Sequence, residues 1–307
     1  MKIVVVGSGG VGGYFGGRLA RADQDVTFIA RGDHLAALLA HGLTVQSVHG
    51  DFRVSPVSAT DRMEEPGPAD LVLVCVKDYQ LEDALAGIGA LVGPETIVLP
   101  LMNGIRASER LVELFGRQKA LGGLCRVISF IAAPGVVKQS SPFQSITFGE
   151  WDGRRTPRSE AILSILQRAG LTAELSTDIK AAMWTKFLFI TAYSGLASVV
   201  RLPAGAIKSS PETMAMLQSC MAEIEAVARA KGVALERAVV AEAMAFIRAM
   251  PDETTASMQR DVAAGRLFEL EAMTGSVVRY GREASVPTPV NGFIYAALKP
   301  TEMKDRA

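Results

Sequence analysis

Three groups of residues in this 307-residue chain have the types and spacing that chemistry needs. The first is Gly7-x-Gly9-x-x-Gly12, fed directly by the apolar β-type run Ile3 to Val6 and followed by a helical pattern. In that order a buried strand turns tightly at Gly7 and a pyrophosphate approaches the backbone at Gly9. The next helix packs closely at Gly12 and turns its N-terminal amides toward the phosphates. Gly7, Ser8, Gly9, Gly10, Val11 and Gly12 are therefore candidate dinucleotide ligands. The second is Arg31, which closes the expected strand Asp25–Ala30, 19 residues after Gly12. An NAD-binding chain would place an Asp or Glu there for the ribose hydroxyls. A guanidinium instead favours a 2′-phosphate, so NADPH is the expected cofactor, against the plainer reading of Arg31 as a solvated surface residue.

The third group lies in the second half. Lys186 is the only charged residue between Ala181 and Val200, and no carboxylate sits at helical spacing from it. A desolvated ammonium suits proton donation to a developing alkoxide, whereas a snorkelling lysine would only cover apolar surface with its stem. Ser257 falls in a polar connection, and Glu269 and Glu271 follow in Glu269-Leu-Glu271. By themselves these glutamates read as a solvated helix face. His34, His41 and His49 cluster in one short stretch with no catalytic partner pattern, and no metal-ligand spacing is present.

Alternating strands and helices must position these groups in the first half. Expected elements are strands at Ile3–Val6, Asp25–Ala30, Asp70–Val76 and Thr96–Leu99, a hairpin through His49-Gly50-Asp51, and helices between them. That alternation predicts an α/β fold, a Rossmann-type doubly wound parallel sheet whose ligand sits beyond the carboxyl ends of the strands. Gly7, Arg31, Lys77 and Asn103 fall at such ends. Further strands around Leu121–Ile131, Gly135–Gln139 and Ile146–Gly149 are expected to extend the same sheet. After Asp178 the pattern is helical only: Asp178–Val200, Pro211–Lys231, Leu235–Met250, Gly265–Gly281 and Pro289–Leu298. The domains expected are 1–176 for the cofactor and an all-helical 177–307 for substrate and catalysis, with the substrate in the cleft between them.

Thirty-two basic residues balance 32 acidic ones, which argues against nucleic acid or an anionic membrane as a partner. Ala181–Val200 is diluted by Thr, Ser, Tyr and Gly, so a buried helix is expected rather than a membrane span. Cys75, Cys125 and Cys220 are widely spaced and expected to be reduced and buried. With a strand beginning at once and no room for a leader, a cytoplasmic protein is expected.

The order of motifs, from the glycine loop and Arg31 through Val76-Lys77, Asn103-Gly104 and Trp184-x-Lys186 to Ser257-Met and Glu269-Leu-Glu271, resembles the ketopantoate reductase family over nearly the whole chain. The resemblance implies NADPH-dependent reduction of 2-dehydropantoate to (R)-pantoate in pantothenate biosynthesis. It implies Lys186 as general acid, Glu269 as its partner and Ser257 as a substrate contact, with Lys77 and Asn103 between nicotinamide and substrate. It is compatible with a homodimer. Four and eight residues after the lysine, where the family pattern has substrate-binding asparagines, this chain carries Ile190 and Ser194; a third such position aligns with Ala204. A reductase of a different, more apolar 2-oxoacid is therefore the alternative. A non-catalytic NADPH sensor is the rival from another class, and it needs neither Lys186 nor Glu269.

Overall fold

The computed structural model describes residues 1–304, which form two compact units. The first comprises Met1–Met102 with Ala107–Ile179; Asn103–Arg106 belongs with the second, which runs from Lys180 onward. The change of unit thus falls three residues after the boundary expected at 176.

In the first unit, five short strands build a parallel sheet: β1 (Lys2–Val6), β2 (Asp25–Ile29), β5 (Ser58–Thr60), β6 (Leu71–Val74) and β7 (Ile97–Pro100). Their spatial order is β5-β2-β1-β6-β7, so the direction in which strands are added to the sheet switches sides between β1 and β6, the place where such sheets open a crevice. Alternation along β1 explains the layering. Ile3 and Val5 face one core with Tyr14, Phe15 and Leu19 of α1 (Gly10–Arg21), while Val4 and Val6 face another with Leu81, Leu85 and Ile88 of α3 (Leu81–Ile88) and Leu111 of α4 (Arg106–Phe115). All four residues of β6 and of β7 are buried, as the continuous apolar runs require.

The strands expected to extend this sheet form a second one. The hairpin β3 (Leu43–Ser47) and β4 (Phe52–Val54) joins β9 (Val136–Gly149), which also pairs with β8 (Gly122–Ala133) and with β10 (Thr172–Leu175). Only an isolated bridge, Val98 to Ala120, continues the first sheet at that point. Two expected strands are here one long β9, whose polar middle, residues 140–143, bulges out of the register with β8 between the two paired stretches. The Ser141 hydroxyl accepts from the Ile128 amide at 3.1 Å and donates to the Phe143 carbonyl at 3.0 Å, spanning an irregularity between Val127 and Ser129. The inner face of this second sheet, with Val137, Ile146 and Phe148, closes the core around α1, joined by Ile162 and Leu166 of α5 (Pro157–Arg168).

The second unit is helical: α6 (Ile179–Val200, its first residue in the other unit), α7 (Ala204–Ser209), α8 (Pro211–Ala230), α9 (Val239–Ala249), α10 (Ser257–Ala263), α11 (Ser276–Glu283) and α12 (Pro289–Lys304). Helix α6 is long and apolar enough to cross a membrane, but 67% of its most apolar window is buried in the protein. Two helices start later than expected. Val233 and Leu235 are buried as loop anchors ahead of α9, and the apolar pattern counted Leu235 into the helix. The expected helix from Gly265 is instead a loop that buries Phe268, Glu269 and Leu270, then a π-helical turn (Glu271–Gly275), then α11.

Candidate functional site

The glycine loop joins β1 to α1. Gly7 has φ +92°, and an added Cβ there would lie 2.8 Å from Val76 Cγ1 and 2.9 Å from the Val76 nitrogen. Around Gly9 the space is open, with no atom within 4 Å of such a Cβ, whereas at Gly12 a Cβ would fall 2.1 Å from the Gly7 carbonyl. The three glycines are thus required by three different things: backbone conformation, free approach and close packing. The first turn of α1 has no acidic residue and no side-chain cap. The Ser8 amide donates to the Ile29 carbonyl at 3.2 Å and the Gly13 amide to Gly9 at 2.7 Å, but the amides of Gly9, Gly10, Val11 and Gly12 have no acceptor among the described residues. Four adjacent donors at the positive end of a helix are an anion site. These residues fit a dinucleotide phosphate.

Arg31 stands before α2 (Gly32–His41), exposed and without a side-chain partner among the described residues. It is available to an anion. Lys77, half-buried, follows β6 and heads a short 3₁₀ turn, Asp78–Gln80.

Structure also reveals supports that sequence reasoning missed. A Cβ on Gly10 would lie 2.3 Å from the Ser129 carbonyl of β8, and one on Gly13 2.7 Å from Val137 Cγ2 of β9. The second sheet therefore sits directly against the start of α1. His34 adds a link: its Nε2 lies 3.0 Å from the Ser8 carbonyl, and its Nδ1 accepts from the Gly135 amide at 3.1 Å. Burial lowers its pKa from 6.5, against the opposing pull of the Ser8 carbonyl. The one available signal was its position, one helical turn after Arg31.

In the second unit, Lys186 is half-buried on α6 and its Nζ donates to Asn103 Oδ1 at 3.0 Å. Asn103 is placed by a turn at Gly104, which has φ +84° and whose Cβ would lie 2.8 Å from the Ala272 carbonyl of the π turn. A residue 83 positions away in sequence thus orients the ammonium. Glu269 is buried just before the π turn. Ser257 is half-buried at the first position of α10. The preceding connection is anchored by Tyr193, whose hydroxyl donates to the Thr254 carbonyl at 3.0 Å and whose pKa burial pushes up to about 12. Glu271 is not a solvated helix-face residue: it accepts from Tyr295 at 2.8 Å and pairs with Lys299.

Ile190 and Ser194 part company. Ile190 is partly exposed, whereas Ser194 is fully buried and its hydroxyl has no hydrogen-bond partner among the described residues. Thr191 and Thr274 likewise bury unpartnered hydroxyls. One helical turn on α6 therefore separates a partly exposed position from one enclosed in the helical unit.

Comparison with known proteins places this geometry. The family model of ketopantoate reductase PanE/ApbA matches residues 3–153, and its C-terminal model matches residues 178–302. The chain belongs to the ketopantoate reductase family. It is 32% identical to an uncharacterized oxidoreductase, YkpB, of Bacillus subtilis, over 97% of this chain and 98% of that one. The solved structure of a family ketopantoate reductase from Ralstonia eutropha superposes with a TM-score of 0.91, at 31% identity and covering all of both chains. A 2-dehydropantoate 2-reductase from Geobacter metallireducens does so with a TM-score of 0.91, at 31% identity, over 98% and 99% of the two chains. As a ketopantoate reductase family member this chain is an oxidoreductase acting on a CH–OH or ketone group.

Proposed function

We propose that this protein reduces the ketone of a 2-oxoacid with NADPH, and that 2-dehydropantoate, giving (R)-pantoate for pantothenate biosynthesis, is the substrate. The observation that carries the reading is the Lys186–Asn103 hydrogen bond, which fixes an ammonium donor on a helix whose residues 181–200 hold no other charge. The free amides of Gly9–Gly12 would hold the pyrophosphate, Arg31 the 2′-phosphate, and Lys77 and Asn103 the nicotinamide side. When bound, the nicotinamide supplies a hydride to the carbonyl carbon. Lys186 donates a proton to the carbonyl oxygen as negative charge develops there, so that ketone, hydride and proton give the alcohol. Asn103 Oδ1 accepts one of the three ammonium hydrogens and so fixes the direction of the side chain. Glu269 restores the proton balance of the site as the partner of Lys186, and Ser257 contacts the substrate. The three buried thiols, Cys75, Cys125 and Cys220, form no disulfide among the described residues, which supports a cytoplasmic setting.

A second reading rests on Ile190, which offers apolar surface, and on the burial of Ser194, which withdraws a polar group. Together they favour a 2-oxoacid with an apolar branch over the hydroxyl-bearing 2-dehydropantoate. NADPH oxidation against a panel of 2-oxoacids that includes 2-dehydropantoate and its analogue without the terminal hydroxyl decides between them. The first reading requires the highest kcat/KM with 2-dehydropantoate, the second with the analogue or a branched apolar acid. Absence of turnover with every 2-oxoacid would sink both.

A further inference from the structure

His34 is the one histidine that touches the glycine loop, and its two ring nitrogens have opposite roles. A backbone amide can only donate, so the 3.1 Å contact from Gly135 makes Nδ1 an acceptor without a proton. A carbonyl can only accept, so the 3.0 Å contact to Ser8 puts the ring proton on Nε2. The imidazole is therefore neutral and its tautomer is dictated by its neighbours. Its Ser8 contact has a geometric consequence. In a planar trans peptide the C=O and N–H point in opposite directions, so fixing the Ser8 carbonyl fixes the direction of the Gly9 N–H. That N–H is the first of the four amides without acceptors.

We infer that His34 is a positioning residue of the cofactor site, holding the Ser8–Gly9 peptide so that the Gly9 amide is preset for the phosphate, with the Gly135 turn between β8 and β9 as its anchor. The inference rests on the cofactor assignment proposed above and extends it to a residue that does not touch the ligand. Its effect is preorganisation: without the imidazole the peptide can rotate, and binding must bear the cost of ordering it. The same side chain ties together α2, whose N-terminus follows Arg31, the loop, and the second sheet, whose Ser129 carbonyl closes on Gly10.

Two isosteres separate the contacts. Glutamine at position 34 places its amide at the depth of Nε2 and can still donate to Ser8. Asparagine places it at the depth of Nδ1 and can still accept from Gly135. NADPH binding to the purified full-length protein and to His34→Gln, His34→Asn and His34→Ala would be followed by nicotinamide fluorescence, with thermal midpoints recorded without cofactor. The glutamine variant should bind NADPH within about twofold of the unmutated protein, whereas asparagine and alanine should bind about two- to twelvefold more weakly, the range expected for loss of one hydrogen bond. At saturating NADPH, kcat should be unchanged while KM for NADPH rises in the same order. Equal Kd values across the series would overturn the inference even if the midpoints fall, because His34 would then serve stability alone. So would a glutamine variant as weak as alanine. Failure of the unmutated protein to bind NADPH overturns the cofactor assignment and the inference with it, and that control is read first.

Discussion

The glycine loop of the first unit and the Lys186 cluster of the second are built in opposite ways. Between β1 and α1, six consecutive residues supply nearly everything: backbone amides, one positive φ and space. Their function lies in the main chain, so few side chains are needed and the signature is local. Around Lys186 the hydrogen-bonding atoms belong to side chains, drawn from α6 and from the 103–104 turn. A backbone site should fail when atoms are added, and a side-chain site when atoms are removed.

Lys186→Ala gives the largest expected effect, a fall in kcat of about 10²- to 10⁴-fold, typical of a positioned general acid. NADPH affinity should be unaltered, as binding and single-turnover measurements will report. A folded variant with near-normal turnover removes the lysine from the mechanism. Next comes Arg31→Ala, which should erase a preference for NADPH over NADH of about 10- to 150-fold, corresponding to roughly 1.5–3 kcal/mol for a charge-assisted contact. Equal kcat/KM for both cofactors in the unmutated enzyme would contradict the assignment.

The glycines test the backbone half of the contrast. Gly9→Ala meets open space, so its thermal midpoint should hold while NADPH binding weakens by about tenfold or more, since the added methyl occupies the phosphate's approach. Gly12→Ala collides with the Gly7 carbonyl, so it should lose about 1–3 kcal/mol of stability before any cofactor is added. The reverse ranking of midpoints would mean that the loop is shaped by something other than these contacts. In the helical unit, Ser194→Asn forces extra atoms into a fully buried position and should likewise lose about 1–3 kcal/mol, whereas the partly exposed Ile190→Asn should lose less than about 1.5 kcal/mol and change substrate preference instead.

The smallest effect is acid sensitivity in the first unit. Burial alone would raise the Glu150 pKa, but hydrogen bonds from Arg158 and Thr156 outweigh it and hold the carboxyl below its ordinary 4.5. The native pKa being depressed, this contribution to stability is complete above pH 4.5 and lost as pH falls through the lowered native value. Urea midpoints for the unmutated protein should therefore drop toward those of Glu150→Gln as pH falls below about 4.5. Parallel curves would show that the ion pair contributes nothing.

Much of this was legible from residue order. β6 lies inside the apolar run Asp70–Val76 that announced it, and β7 matches the run Thr96–Leu99 with a shift of one residue. Glycine spacing located the loop, and the single charge in a long apolar stretch singled out Lys186. His34 was not legible, since neither Ser8 nor Gly135 is near it in sequence and both contribute only backbone groups. The second sheet escaped for a related reason. A strand's residues declare which face is apolar, but not which of two sheets that face completes, and β9 has partners on both sides along its length.

By itself, then, the sequence determined what is local: the glycine turn and helix start, the apolar strands, the place of Arg31 just after the second strand and the isolation of Lys186 among apolar neighbours. Tertiary structure decided what is joined across distance: the hydrogen bond from Lys186 to Asn103, the burial of Ser194 beside a partly exposed Ile190, and the seating of the glycine loop on β8 and His34. The physical reason is that φ preferences and hydrophobic periods are properties of neighbours along the chain. A hydrogen bond between residues 83 positions apart, by contrast, exists only after packing has brought its donor to its acceptor.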